Sequence, residues 1–155
     1  MSALNLGHHK ANQKIPTVLI IDDDIDVIIN MERTLVNMGC NTISATTAAD
    51  AQKKLLAGKI DFVILDWCLD RGLKANQLIE KVTKTIKKYL PLPSAASDLQ
   101  QVHHRTVFVT HSTLRKDELS AIPSDFFQYL DHWQKPIHRN DLVKKTTDVL
   151  KAIGF

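Results

Sequence analysis

The chain is poor in several features that would otherwise decide its class. Only two cysteines occur in 155 residues, Cys40 and Cys68, and neither stands in a Cys-x-x-Cys or Cys/His spacing. That excludes a disulfide framework and a thiolate zinc site. No apolar run approaches the roughly 18 residues of a membrane span, and the opening MSALNLGHHKANQK lacks the apolar core of a signal peptide. A reducing, cytoplasmic setting is the default that follows. Charge of one sign is scarce as well. Twenty Lys and Arg against 17 Asp and Glu leave +3, with the signs interleaved along the chain, so nucleic acid is not indicated as a partner. What remains, 44% apolar and 24% charged, is the composition of an ordinary globular domain, and the length suits one.

What is present is a regular alternation of apolar runs and helical periodicity. Residues 1–14 are polar and aperiodic and read as a flexible tail, leaving 15–155 as one domain. Thr17 to Ile21, with the apolar run Val18 to Ile21, form a first strand; Ile28, Met31, Leu35 and Met38 then fall on one helical face that Gly39 is placed to end. A strand over 41–45 and a helix capped by Thr47 and stopped at Gly58 follow. Phe62 to Leu65 are apolar on both faces, as a parallel strand covered by helices requires. Leu78, Ile79, Val82 and Ile86 mark a third helix to about Tyr89, and the proline-bearing segment after it reads as a long surface loop. A fourth strand over 107–109 ends at Thr110, a polar helix is expected over 113–122, a fifth strand lies within 126–134, and a last helix covers about 139–152. Five strand–helix units predict an α/β fold, a five-stranded parallel sheet with helices on both faces.

In such a sheet the carboxyl ends of all strands face one crevice, where ligands bind. The residues that leave the strands there are Asp22 and Asp23, Asp66, Thr110 and Lys135. Three carboxylates, a hydroxyl and an ammonium at one sheet end make a chemically specific set. Asp24 and Asp26 read as charges favoured by a helix N-terminus, and the pairs His8-His9 and His103-His104 as solvated.

On the motifs VLIIDDD, FVILDW, VFVTHS and QKPI, in that order, the chain from Pro16 onward resembles the receiver domain of two-component response regulators. The resemblance implies a doubly wound, flavodoxin-like sheet of order 2-1-3-4-5. It also implies that Asp66 accepts a phosphoryl group from a histidine kinase or phosphotransfer protein. Asp22, Asp23, Asp66 and the backbone carbonyl of Cys68 would hold Mg²⁺, Lys135 would pair with a phosphoryl oxygen, and Thr110 would move to bond another. Signalling would pass through contacts with a downstream protein, as a stand-alone domain that is a monomer or a phosphorylation-linked homodimer.

The departures from the family pattern are specific. His111 stands where a small residue is usual beside the phosphoryl group. Cys68 and Ser112 occupy the positions that commonly govern water access, and neither is a carboxylate or amide, which predicts slow self-dephosphorylation. His132 replaces the aromatic residue expected three positions before the lysine and invites a pH-sensitive switch. Asp70 and Leu73-Lys74 alter the loop after Asp66, and the segment before strand four is longer than usual. Two other classes fit parts of the sequence: a receiver-fold binding module that signals without phosphorylation, and an aspartate-nucleophile phosphatase of the haloacid dehalogenase type, with Asp22 as nucleophile.

Overall fold

Apolar runs of β-branched and aromatic residues form five strands, and amphipathic segments form the helices between them. In chain order the elements are β1 (Thr17–Ile21), α1 (Ile25–Asn37), β2 (Asn41–Ala45), α2 (Ala48–Ala57), β3 (Phe62–Asp66), α3 (Ala75–Tyr89), β4 (Thr106–Ser112), β5 (Phe127–Gln134) and α4 (Arg139–Ala152). The computed structural model describes residues 13–69, 72–89, 106–120 and 126–155. The two histidine pairs, Asp70 and the long loop before β4 lie outside the described residues, as does nearly all of the expected tail. Lys14, at that tail's edge, donates to Asp61 Oδ1 at 3.0 Å.

The strands join in one sheet of order β2-β1-β3-β4-β5, and each neighbouring pair is parallel. Because side chains alternate along a strand, each strand feeds two cores. Leu19, Ile21, Val63, Leu65 and Phe108 pack with α2 and α3. Val18, Ile20, Phe62, Ile64, Val107, Val109 and Trp133 pack with α1 and α4. Each fully buried Leu, Ile or Val contributes about 1.5–3 kcal/mol, and all five residues of β3 are buried. Phe62 and Trp133 meet edge to face at 5.7 Å and tie β3 to β5 on the α1/α4 side. Thr47 caps α2 as the sequence predicts, accepting from the Asp50 amide, while Asp24, expected only as a helix-start charge, is the cap of α1 and accepts from the Asp26 amide.

The structure corrects three local expectations. β4 runs on to Ser112 rather than ending at Thr110, because His111 and Ser112 continue the ladder opposite Trp133 and Gln134. The helix expected over 113–122 does not form among the described residues 113–120, which hold one 3-10 turn, Lys116–Glu118. Leu114 and Leu119 both pack on the core; five residues apart, they would point some 140° away from each other on an α-helix. Trp67, expected over the loop, is buried in the α2/α3 core, since strand alternation persists one residue past Asp66 and sets it on the face of Val63 and Leu65.

Candidate functional site

Sheet order creates the site. The chain winds outward from β1 to β2, then returns across β1 to β3, so the direction of winding reverses between β1 and β3. At such a switch point two neighbouring strand ends stand without a crossover covering them. Ile21 pairs with Leu65, so the next residues, Asp22 and Asp66, are neighbours at that opening. Both share strand parity with Ile20 and Ile64 and therefore emerge on the α1/α4 side.

Asp22 and Asp66 are buried and Asp23 is exposed. One carboxylate oxygen from each of the three lies within 4.8 Å of the others. Backbone contacts hold the cluster in place. The Asp22 amide donates to the Ala45 carbonyl at 3.1 Å, and the Asp24 amide donates to Asp22 Oδ1 at 2.9 Å. The Cys68 amide reaches Asp66 Oδ1 at 3.4 Å. Across the crevice Lys135, entering from the end of β5 ahead of a cis peptide to Pro136, donates to Asp22 Oδ2 at 2.8 Å and lies 3.6 Å from Asp66 Oδ1.

The electrostatics of this arrangement are unbalanced. Burial, with the charge of Asp22 added to it, pushes the Asp66 carboxyl up to about 6; Lys135 and the Cys68 amide oppose this, and Asp23 reinforces it. Burial alone works against the Lys135 ammonium. The hydrogen bond and charge of Asp22, together with Asp66, outweigh that cost and hold its pKa above the ordinary value. One ammonium, in contact with Asp22 and Asp66, thus stands against three carboxylates. A hard divalent cation binds oxygen donors of this kind, and converging carboxylates with a surplus of negative charge fit Mg²⁺. Asp22, Asp23 and Asp66 are the side chains that would hold it. Cys68, whose carbonyl the family resemblance implies for the same shell, bridges Lys74 in antiparallel fashion with its thiol exposed.

Thr110 belongs to a different constellation. It has the parity of Phe108, so its side chain emerges on the α2/α3 side, away from Asp66. There Thr110 Oγ1 lies 2.8 Å from His132 Nδ1, and His132 Nε2 lies 2.7 Å from the Leu114 carbonyl. A carbonyl only accepts, so Nε2 carries a proton, and in the tautomer with its one proton there Nδ1 accepts from the Thr110 hydroxyl. Tyr129 Oη, 3.2 Å from Thr110 Oγ1, completes the group and was not foreseen. Three residues apart on a regular strand, Tyr129 and His132 would face opposite ways. A register shift opposite Phe108/Val109 places both on one side.

His111 pairs across the ladder with Asp66 and shares its face. It is 3% exposed, and its Nε2 has no hydrogen-bond partner. Burial, Lys135 and His132 together hold its pKa down at about 3, so the ring is neutral at physiological pH. Ser112 Oγ accepts from the Leu114 amide at 3.1 Å and so serves the turn after β4.

No protein-family model matches the sequence, and no curated protein sequence matches it. Solved structures do resemble it. A two-component response regulator from Clostridium difficile superposes with a TM-score of 0.68 at 21% identity, over 90% of this chain and 99% of that one. The chemotaxis protein CheY4 of Vibrio cholerae gives 0.65 at 19%, over 88% of this chain and 100% of that one. A CheY-like receiver domain protein from Methanospirillum hungatei gives 0.65 at 21%, over 89% and 96%. The fold is that of response-regulator receiver domains. No helix among the described residues is long and apolar enough to cross a membrane.

Proposed function

We propose that this chain is a cytoplasmic receiver that takes a phosphoryl group onto Asp66 from the phosphohistidine of a kinase or phosphotransfer protein and passes the signal on through protein contacts. An Asp66 carboxylate oxygen attacks phosphorus, the P–N bond to the donor imidazole breaks, and its electron pair stays on that nitrogen; the product is an acyl phosphate. The observation that carries this reading is the convergence of three carboxylates within 4.8 Å at the switch point, with Lys135 3.6 Å from Asp66.

The chief obstacle to the transfer is repulsion between an anionic nucleophile and an anionic donor. Mg²⁺ held by Asp22, Asp23 and Asp66 would supply positive charge that offsets this repulsion. Lys135 supplies a second positive group, exchanging part of its hold on Asp22 for a phosphoryl oxygen. Asp22 and Asp23 remain as metal-holding carboxylates. Thr110 has to give up its bond to His132 to reach the phosphorylated side, and that exchange is the link from Asp66 to the β4–β5 surface where a downstream protein or a second copy would bind. A domain that is monomeric or dimerises on phosphorylation serves equally.

Hydrolysis of the acyl phosphate should be slow. The Ser112 hydroxyl is occupied by the Leu114 amide, the Cys68 side chain offers no carboxylate or amide to orient water, and His111 crowds Asp66 from the neighbouring strand.

The test is incubation with acetyl phosphate and Mg²⁺ followed by intact mass, with Asp66→Asn as control. A single phosphoryl adduct lost in the variant and suppressed by EDTA is expected. No adduct on the folded wild type overturns the proposal in favour of a receiver-fold binding module. Decay of the adduct within seconds would refute the slow hydrolysis.

A further inference from the structure

Beside the carboxylate cluster, between α1 and α4, lies a cavity of about 510 Å³. Its size is that of a small-molecule site. Val27, Met31, Pro136, Ile137 and Leu142 supply apolar wall. The charged lining is cationic, with Arg33 and Arg139 around the cavity and Lys135 closing one end; Asn30, Thr34, His138 and, from the sheet, His111 are the other polar groups, and no carboxylate lines it.

These groups differ in how far they are already engaged. Lys135 spends its charge on Asp22 and Asp66. Arg33 and Arg139 have no carboxylate partner among the described residues, although both are exposed enough to find one. The start of α4, 14 residues long, also faces this region, and its N-cap His138 makes no side-chain capping bond, so the first amides of the helix keep their donors. An uncapped helix start attracts anions but is common. The separate observation is His111. It is a buried imidazole, 3% exposed, that lines this same cavity with Nε2 lacking any partner. Leaving a buried polar nitrogen unsatisfied costs about 1–3 kcal/mol, and a ligand oxygen accepting from an Nε2–H tautomer would relieve it after a small movement of the ring.

We propose that this cavity is a binding site for a small organic anion: a carboxylate-type head engaged by Arg33, Arg139 and the start of α4, with His111 beneath it, and an apolar body against Met31, Ile137 and Leu142. Guanidinium groups suit the head because their forked donors match paired oxygens. A body of aromatic size is set by the apolar wall, and a bare inorganic anion leaves that wall without contact. Lys135 belongs both to this cavity and to the carboxylate cluster, so occupancy here reaches the site of Asp66. The binding itself does not require that Asp66 be phosphorylated.

The probe is benzoate, titrated into the full chain and followed by amide NMR shifts, beside the neutral isostere benzamide and inorganic phosphate. Saturable benzoate shifts confined to residues 27–34, 111 and 135–142 are expected. Benzamide and phosphate should each bind about tenfold or more weakly. Arg33→Gln and Arg139→Gln should each weaken benzoate about tenfold, whereas Lys144→Gln, an exposed position of α4 outside the lining, should leave it unchanged. His111→Phe, which keeps an aromatic ring but no Nε2, should weaken it as well. Benzamide binding as tightly as benzoate, equal losses from all three surface variants, shifts elsewhere, or no saturable response to ~10 mM each overturn the proposal.

Discussion

The residues gathered at the strand ends divide between the two faces of the sheet, and the two groups are opposites in their energetics. On the α1/α4 side Asp22, Asp66, His111 and Lys135 form a set with conflicts left unresolved: carboxylates outnumber the ammonium, Asp66 is pushed up to about 6, and His111 Nε2 is unpartnered. On the α2/α3 side Thr110, Tyr129, His132 and the Leu114 carbonyl satisfy one another. Unresolved charge is what a site awaiting a cation and a phosphoryl group should hold. A satisfied network is what a resting switch should hold. Under the proposed function, a signal from Asp66 would have to cross the sheet by making it worthwhile for Thr110 to abandon its hydrogen bond to His132.

The sharpest way to break this contrast is Asp66→Asn. It should abolish phosphoryl labelling and yet stabilise the fold in EDTA at pH 7. The carboxyl is raised from 3.8 to about 6, so keeping it ionised in the native state costs about 3 kcal/mol at 1.36 kcal/mol per unit. Urea denaturation measures this, and a destabilised variant would show that the acidic side is not in conflict. Mg²⁺ should stabilise wild type and lose most of that effect in the variant.

The pH profile of the metal-free protein tests the same face from two directions. Unfolded, Asp66 releases its proton near 3.8; native, near 6. Between those values the native state holds the extra proton, and stability falls as pH rises. His111 behaves in reverse. Unfolded, it binds a proton below 6.5, but native it stays neutral down to about 3, so its contribution is full above 6.5 and is lost as pH falls. Each slope is about 1.4 kcal/mol per pH unit, and between pH 4 and 6 they oppose each other. Relative to wild type, Asp66→Asn should therefore tilt the profile upward with pH, and His111→Ala should tilt it downward. Parallel profiles for all three proteins would refute the assignment.

On the other face Thr110→Val should cost about 1–3 kcal/mol, because His132 Nδ1 is left buried without its donor. Labelling of Asp66 should persist, since the hydroxyl does not approach that carboxylate in the resting arrangement. Loss of labelling as complete as in Asp66→Asn would mean the two groups act as one.

How much of this division could be read in advance depends on what each feature rests on. The strands, their parallel direction and the convergence of Asp22, Asp66 and Lys135 follow from apolar runs and strand exits, which are local signals, while the order 2-1-3-4-5 came only with the family resemblance; the structure brings those three residues together. The side on which Thr110 emerges is fixed by its alternation with Phe108, whereas the continuation of β4 through His111 and Ser112 is decided by pairing with Trp133 and Gln134 of β5, not by the β4 sequence. Tyr129 joins His132 only because of a register shift. Over the described residues 113–120 the helix expected after β4 does not form for a related reason: a polar helix has little to bury, and Leu114 and Leu119 reach the core better from a 3-10 turn and extended chain. His111 stood out as a departure in size, but its unpartnered nitrogen is a matter of three-dimensional packing.

The smallest effect separates the satisfied network from the charges around it. Lys116 donates to Asp131 at 3.2 Å close to His132, and on a drawing this ion pair would seem to clamp the turn after β4 onto β5. Both side chains are well exposed, 69% and 43%. In that setting water screens the attraction and ordering a lysine side chain offsets much of it, so such pairs are worth only about 0–1 kcal/mol. Lys116→Met should shift the urea midpoint by less than Thr110→Val, and raising the salt concentration should erase what difference there is. If Lys116→Met instead proved as costly as Thr110→Val, the order on this face would come from the surface charges, and the Thr110–His132 hydrogen bond would be a passenger rather than the resting lock.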